Sequence, residues 1–179
     1  MKYVFCPQCG GRLIDVELGE RLRAACADPA CGYVHWDNPV PVVAALIECV
    51  DRDGQILLAC NAQWKQRFFA LITGFLERVE TPEDGMRREI REEVGLATDT
   101  LELIGLYPFE RMNQIIIAYH SRCHGEIVLG DELSDYILVQ PAKLKPWPAG
   151  TGLAVRDWML RRGLAVPDWQ GPPPNPRGE

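Results

Sequence analysis

From Val42 to Val50 the chain reads VVAALIECV, an almost unbroken apolar run with β-branched residues at both ends. Such a run fits a strand covered on both faces. Asp51-Arg52-Asp53-Gly54 is a turn signal, and QILLAC after it predicts the hairpin partner. FFALITGFLE predicts a further extended segment, and LELIGLYPF, QIIIAYHSRC and YILVQ predict more strands. The pattern changes period twice. TGLAVRDWMLRRG predicts a closing helix from Thr151 toward Gly163. GFLERVETPEDGMRREIREEVGL, residues 74–96, places Met86, Ile90 and Val94 at i, i+4 and i+8, so a helix from about Pro82 to Val94 turns one apolar stripe toward the sheet.

Ahead of this region the patterning is thinner. HWDNPVP breaks regular structure and marks a linker near residues 33–41. RLIDVELGERLRAA before it reads as two short strands around Gly19-Glu20. The end, GPPPNPRGE, is proline-rich and predicts disorder. The expected organisation is a small module over residues 1–36, a main domain over 37–165 and a disordered tail over 166–179, with no internal repeat.

The cysteines change the picture of the small module. Seven thiols, an odd count without a secretory leader, favour reduced cysteines or metal ligands over disulfides. Cys6, Cys9, Cys26 and Cys31 all lie in the first 31 residues, as C-x2-C, a 16-residue spacer, then C-x4-C. Two thiolate pairs joined by a hairpin are what a tetrahedral structural Zn2+ asks for. In CPQCG, Gly10 accepts a backbone angle other residues resist, and backbone N–H groups can point at the sulfurs. The module resembles a zinc ribbon, although CADPAC has a wider gap than the usual two residues. His35 reads as structural, not as a fifth ligand. The scattered Cys49, Cys60 and Cys123 read as small buried apolar residues.

Charge excludes some partners. A net charge of -6 gives a field that repels polyphosphate backbones, so general nucleic-acid binding is disfavoured. No run approaches the roughly 18 apolar residues that span a bilayer, and MKYVFCPQCG lacks the apolar core of a secretory signal. The expectation is a soluble cytoplasmic protein with no membrane partner.

The helix carries the chemistry. Thr81 with Asp84 three residues on resembles a capping box, Pro82 suits the first helical position, and Glu83 and Asp84 favour the positive end of the dipole. Glu89 lies one turn from both Glu92 and Glu93, beside the apolar stripe. Like charges so close cost free energy unless a cation offsets it. Arg88 can pair with Glu92, while Arg87 and Arg91 are expected in solvent. Oxygen ligands on a rigid helix suit Mg2+ or Mn2+. Taken alone, the helix is better read as a solvated, salt-bridged face.

The spacing separates the two readings. Gly74, five residues, Glu80, seven residues, then Arg88-Glu89-Ile90-Arg91-Glu92-Glu93-Val94-Gly95-Leu96 matches G-x5-E-x7-R-E-U-x-E-E-x-G-U, U being bulky aliphatic. With seven fixed positions at roughly one-in-fifteen usage, chance agreement at one start is below about one in 10^8. This stretch resembles the Nudix box, and the resemblance covers residues 40–162. It implies an α/β/α sandwich with a mixed sheet, and hydrolysis of a diphosphate joining a nucleoside to another group. It implies Glu92 and Glu93 as Mg2+ or Mn2+ ligands and Glu89 as a further ligand or the group orienting water. Arg88 would be its electrostatic partner, with Glu80 acting through water and Gly74 offering its carbonyl. A further acid in related enzymes comes from a late loop or strand, and GDELSDYILV offers Glu132 and Asp135.

Substrate choice is less legible. A ribbon ahead of a Nudix domain resembles NADH pyrophosphatases and a set of FAD or ADP-ribose pyrophosphatases. The array SQPWPFPxS of the NADH enzymes is here LYPFERMNQ, with a PF echo only. Tyr107, Phe109 and Trp36 are candidates to stack on a base, set against ordinary packing for each. The expected substrates are FAD or ADP-ribose, then NADH, and a second copy of the chain is a candidate partner. Two alternatives stay open: a zinc-ribbon module that binds RNA or protein through a silent Nudix fold, and a Nudix enzyme acting on capped RNA.

Overall fold

The computed structural model describes residues 3–171. The backbone separates into two compact units, Met1–Pro39 and Val40–Glu179. The part of the proline-rich tail beyond Gly171 lies outside the described residues.

The first unit is an antiparallel sheet of β1 (Leu13–Leu18), β2 (Arg21–Cys26) and β3 (Val34–His35), in that order. The hairpin closes Leu18 on Arg21 through Gly19 at φ 64, an angle that favours glycine. β3 lies within the stretch expected as linker. Its residues Val34 and His35 pair with Ala25 and Ala24, because the free edge of β2 needs a backbone partner.

The second unit is built on a six-stranded mixed sheet. β4 (Val40–Cys49) lies parallel to β8 (Gln114–His124) and antiparallel to β5 (Gln55–Asn61) and β6 (Ile72–Phe75). β7 (Ala97–Phe109) flanks β8, and β9 (Leu133–Val139) flanks β5. The apolar run of β4 explains its central place. Val43, Ala45 and Ile47 pack with Met86, Ile90 and Val94 of α1 (Pro82–Val94). Ala44 and Leu46 pack on the opposite face with Ala154, Val155, Trp158 and Met159 of α2 (Thr151–Arg161). Period-2 alternation thus feeds two cores, one per helix, and the sheet is sandwiched between helices. Cys49, Cys60 and Cys123 are buried, as expected of small apolar residues.

Besides β3, several boundaries differ from the sequence reading; β9, for one, begins at Leu133, three residues before the expected Tyr136. The extended segment expected over residues 68–77 is a strand only at Ile72–Phe75, preceded by a lone bridge between Ala59 and Ala70. Phe68 and Phe69 both pack against the α2-side core. Successive residues of a strand face opposite ways, so these two cannot both do so within a ladder. β7 begins at Ala97, four residues earlier than expected from Leu101. Pairing with β8 needs backbone groups only, and the polar side chains of Thr98 and Thr100 are tolerated on an edge strand. Among the described residues no helix is long and apolar enough to cross a membrane.

Candidate active site

Local sequence sets α1 in place. The Thr81 hydroxyl oxygen accepts from the Asp84 backbone N–H at 3.1 Å, and Pro82 occupies the first turn. Gly95 ends the helix at φ 72 and donates its N–H to the Arg91 carbonyl at 3.1 Å. Met86, Ile90 and Val94 are fully buried, which brings Glu89 against the sheet at 9% exposure. Gly74 on β6 makes room for it. A Cβ at Gly74 would stand 1.9 Å from the Glu89 carboxyl carbon, so a side chain there would expel the carboxylate.

Arg88 organises the acids around it. It donates to Glu89 at 2.7 Å, to Glu92 at 3.1 Å and to the Phe75 carbonyl at 3.2 Å. It also grips both oxygens of Glu80, at 2.8 and 3.2 Å, a fork-to-fork pair. That pairing holds the Glu80 carboxyl below its ordinary range. Of its neighbours, Arg91 is exposed as expected, whereas Arg87 is half-buried and donates to the Thr98 carbonyl at 3.2 Å.

Glu93 has no such partner: among the described residues no Lys or Arg pairs with it or with Glu132. Burial, then the charges of Glu89, Glu132 and Glu92, push the Glu93 carboxyl up to about 8. Burial also raises Glu89, against the pull of Arg88. Glu132 arrives from the loop between β8 and β9. That loop is pinned to the end of α1, where the Val94 carbonyl accepts from Val128 at 3.0 Å and the Glu93 carbonyl from Gly130 at 2.8 Å. A Cβ at Gly130 would stand 2.7 Å from the Glu92 carbonyl oxygen, so the close approach needs glycine. Glu89, Glu92, Glu93 and Glu132 therefore line one cleft of about 520 Å³ with Gly74, Phe75 and Arg88.

Other expected site residues lie elsewhere. Asp135 sits on β9 opposite Cys60 and pairs with Arg67, away from the carboxylate cleft. Tyr107 is buried in the α2-side core, and its hydroxyl donates to Asp157 at 2.9 Å, so it faces neither cleft nor pocket. Trp36, in the first unit, has the Arg23 guanidinium over its ring at 5.8 Å. Phe109 does line a cavity. A pocket of about 620 Å³ adjoins the cleft, sharing Val42, Trp64, Leu71, Thr73 and Gln114 with it. Its walls include Trp64, Phe68, Phe109, Trp147 and Trp169, with Arg67 and Arg111 also lining it. Four of those aromatics were not anticipated; the FF pair and the tryptophans outside the predicted elements were the available signal.

The donor sets fit different ions. In the first unit the four thiol sulfurs lie within 4.8 Å of one another. Cys6 and Cys31 are 3.8 Å apart and Cys9 and Cys26 3.5 Å. The sulfurs around a tetrahedral Zn2+ with bonds of about 2.3 Å stand about 3.8 Å apart, so the set fits zinc. Gly10 is at φ 75, and the Gly11 N–H donates to Cys9 Sγ at 3.4 Å. The wide gap of CADPAC is taken up by Asp28. Its side chain accepts from the Ala30 N–H at 2.9 Å and its carbonyl from Cys31 at 3.1 Å, which folds the extra residues into a turn. His35 lies 3.6 Å from Asp37 and is not among the clustered ligands. Among the described residues no three carboxylates draw together as tightly as these thiols. The looser all-oxygen set suits Mg2+ or Mn2+, which keep several waters and take one or two carboxylates each.

Comparison with known proteins agrees with this architecture. The NUDIX domain family model matches residues 39–157. A NAD-capped RNA hydrolase NudC of Pseudomonas aeruginosa is 30% identical over 152 residues, which is 84% of this chain and 52% of that protein. The NudC of Vibrio atlanticus is 32% identical over 133 residues, 73% of this chain and 47% of the relative. The chain thus spans about half the length of the curated relatives it matches. A crystal structure of a NUDIX hydrolase from Nitrosomonas europaea superposes with a TM-score of 0.73 at 25% identity, covering 92% of this chain and 96% of that one. With the box helix, the mixed sheet and the family model in agreement over most of the second unit, the chain belongs to the Nudix hydrolase family.

Proposed function

We propose that the second unit hydrolyses the diphosphate bond of a nucleoside diphosphate derivative, a dinucleotide cofactor or nucleotide sugar such as FAD, ADP-ribose or NADH. The observation that carries this reading is the adjacency of two cavities: a cleft lined by glutamates shares five wall residues with a pocket lined by aromatic rings. Diphosphate and ring thus find adjacent sites of matching chemistry. Glu89, Glu92, Glu93 and Glu132 line the cleft and would hold the divalent ions, and Arg88 keeps Glu89 and Glu92 at their posts. When bound, Mg2+ or Mn2+ acidifies water and offsets the charge building on the leaving phosphate. One carboxylate of the cluster takes the proton of the attacking water. The P–O bond of the bridge breaks, leaving a nucleoside monophosphate and a phosphorylated product. The flat base stacks among Trp64, Phe68 and Phe109, as π-faces do regardless of base identity. In the first unit we assign the four cysteines to one structural Zn2+, whose shell they fill without an open position.

A second reading has its own support. The relatives named above carry names that specify NAD-capped RNA, which runs against the expectation that nucleic-acid binding is disfavoured. Arg111 on the pocket offers local positive charge within a chain of net charge -6, beside Arg67, which is paired with Asp135. The test is a turnover panel of FAD, NADH, NAD, ADP-ribose, diadenosine polyphosphates, a nucleoside triphosphate and a 5′-NAD-capped oligonucleotide, each with Mg2+ and with Mn2+. Fastest kcat/KM on a free dinucleotide or ADP-ribose supports the first reading. A large preference for the capped oligonucleotide, with salt-sensitive binding, supports the second. No turnover of any member defeats both.

A further inference from the structure

The chain after α2 leaves regular structure, yet it returns to the substrate side of the sheet. Leu164, Val166 and Trp169 pack against the α2-side core, and the Leu164 N–H donates to the Met159 carbonyl at 3.0 Å. Val166 and Trp169 fall within the stretch 166–179 expected as a disordered tail, where apolar side chains find a partly open core to cover. Trp169 and Gly171 then line the pocket. Among the five rings there, Phe68 is a hub for three tryptophans. Phe68 has its centroid 5.8 Å from Trp64, 5.4 Å from Trp147 and 6.2 Å from Trp169, the last two edge-on. Trp169 is half-buried, with part of its surface still open.

We infer that Trp169 is a specificity-determining residue: it closes the ring pocket beside the diphosphate cleft and binds the aromatic moiety of the substrate, while taking no part in the chemistry at the glutamates. The inference rests on the proposed function for the identity of the ligand. It assigns a role in substrate selection to a segment outside both the box and the sheet. Because the pocket touches the carboxylate cleft only through Val42, Trp64, Leu71, Thr73 and Gln114, loss of Trp169 leaves Glu89, Glu92, Glu93 and Glu132 as they are.

The experiment compares wild type, Trp169→Ala and Trp169→Phe. Calorimetry with Ca2+ in place of the catalytic ion measures the Kd of ADP-ribose, FAD and ring-free inorganic pyrophosphate, and thermal melts check the fold. The expected result is a loss of about tenfold or more for ADP-ribose and FAD in Trp169→Ala, in the range of base-on-aromatic stacking. Pyrophosphate stays within twofold, and Trp169→Phe recovers most of the loss. In turnover assays KM rises and kcat holds. Equal weakening of pyrophosphate makes Trp169 merely structural and overturns the inference, as does an unchanged Kd for the ring-bearing ligands or their failure to bind the wild type. If these ligands bind as expected and are never hydrolysed, the proposed function fails while the role of Trp169 stands.

Discussion

Glu93→Gln in protein dialysed free of Mg2+ and Mn2+ isolates the electrostatic cost of the carboxylate cluster. The folded protein holds the Glu93 proton up to about 8, against 4.5 for an unperturbed glutamate. Below about pH 4.5 the group is protonated in both folded and unfolded chains and contributes nothing to the difference. As pH rises from there through about 8, the unfolded chain releases the proton first, so stability falls, and above about 8 the loss is complete. At about 1.4 kcal/mol for each pH step, the ceiling is about 5 kcal/mol; solvent screening at this partly exposed group and coupling to Glu89 bring it to a few kcal/mol. Gln keeps the shape and removes the charge. The variant should therefore match wild type near pH 5 and exceed it by about 2 to 4 kcal/mol near pH 9. Chemical denaturation from pH 5 to 9 reads this through tryptophan fluorescence, four of the five tryptophans lying in the second unit. Adding Mg2+ should close the gap by stabilising wild type selectively, since the ionised cluster is what a cation satisfies. A stability difference flat in pH, or Mg2+ stabilisation equal in both proteins, would refute the reasoning.

Glu92→Gln should lower turnover by about 10^2-fold with the melting temperature preserved, because a ligand is lost at nearly constant shape; wild-type-like rates would remove the divalent ions from this helix. Gly74→Ala should cost on the order of 10^2-fold in kcat, because its Cβ drives Glu89 from a position only 1.9 Å away. Circular dichroism should show its helix content unchanged, and unaltered kinetics would mean that Glu89 works from elsewhere. Cys26→Ser should release Zn2+, measured by elemental analysis, and unfold the first unit, a module with little core of its own, while Mg2+-dependent hydrolysis persists. Absence of zinc from the gently purified wild type would defeat the structural-zinc assignment.

What the sequence determined alone lies where the relevant partners are close along the chain. Thr81, Pro82 and Gly95 bound α1 through contacts within a turn, and the i, i+4, i+8 stripe fixes which side of that helix is buried. The hairpin around Gly19 brings the two cysteine pairs together by the same short-range logic. Other features depended on which distant elements meet. Tyr107 and Phe109 share a face of β7, two residues apart, yet α2 and its Asp157 cover the first and leave the second at the mouth of the pocket. Glu132 and Asp135 stand three residues apart in one acidic stretch. Only the anchoring of the preceding loop to the carbonyls of Val94 and Glu93 delivers the first to the carboxylate cleft, while the pairing of β9 with β5 sends the second to Arg67. Trp169 was unreadable for the same reason: no period or motif in its own segment records that Phe68, a hundred residues earlier, will be there to receive it. Local propensity and side-chain period act over a few residues, whereas sheet order and register decide which faces and loops converge, and that decision belongs to the packed chain as a whole.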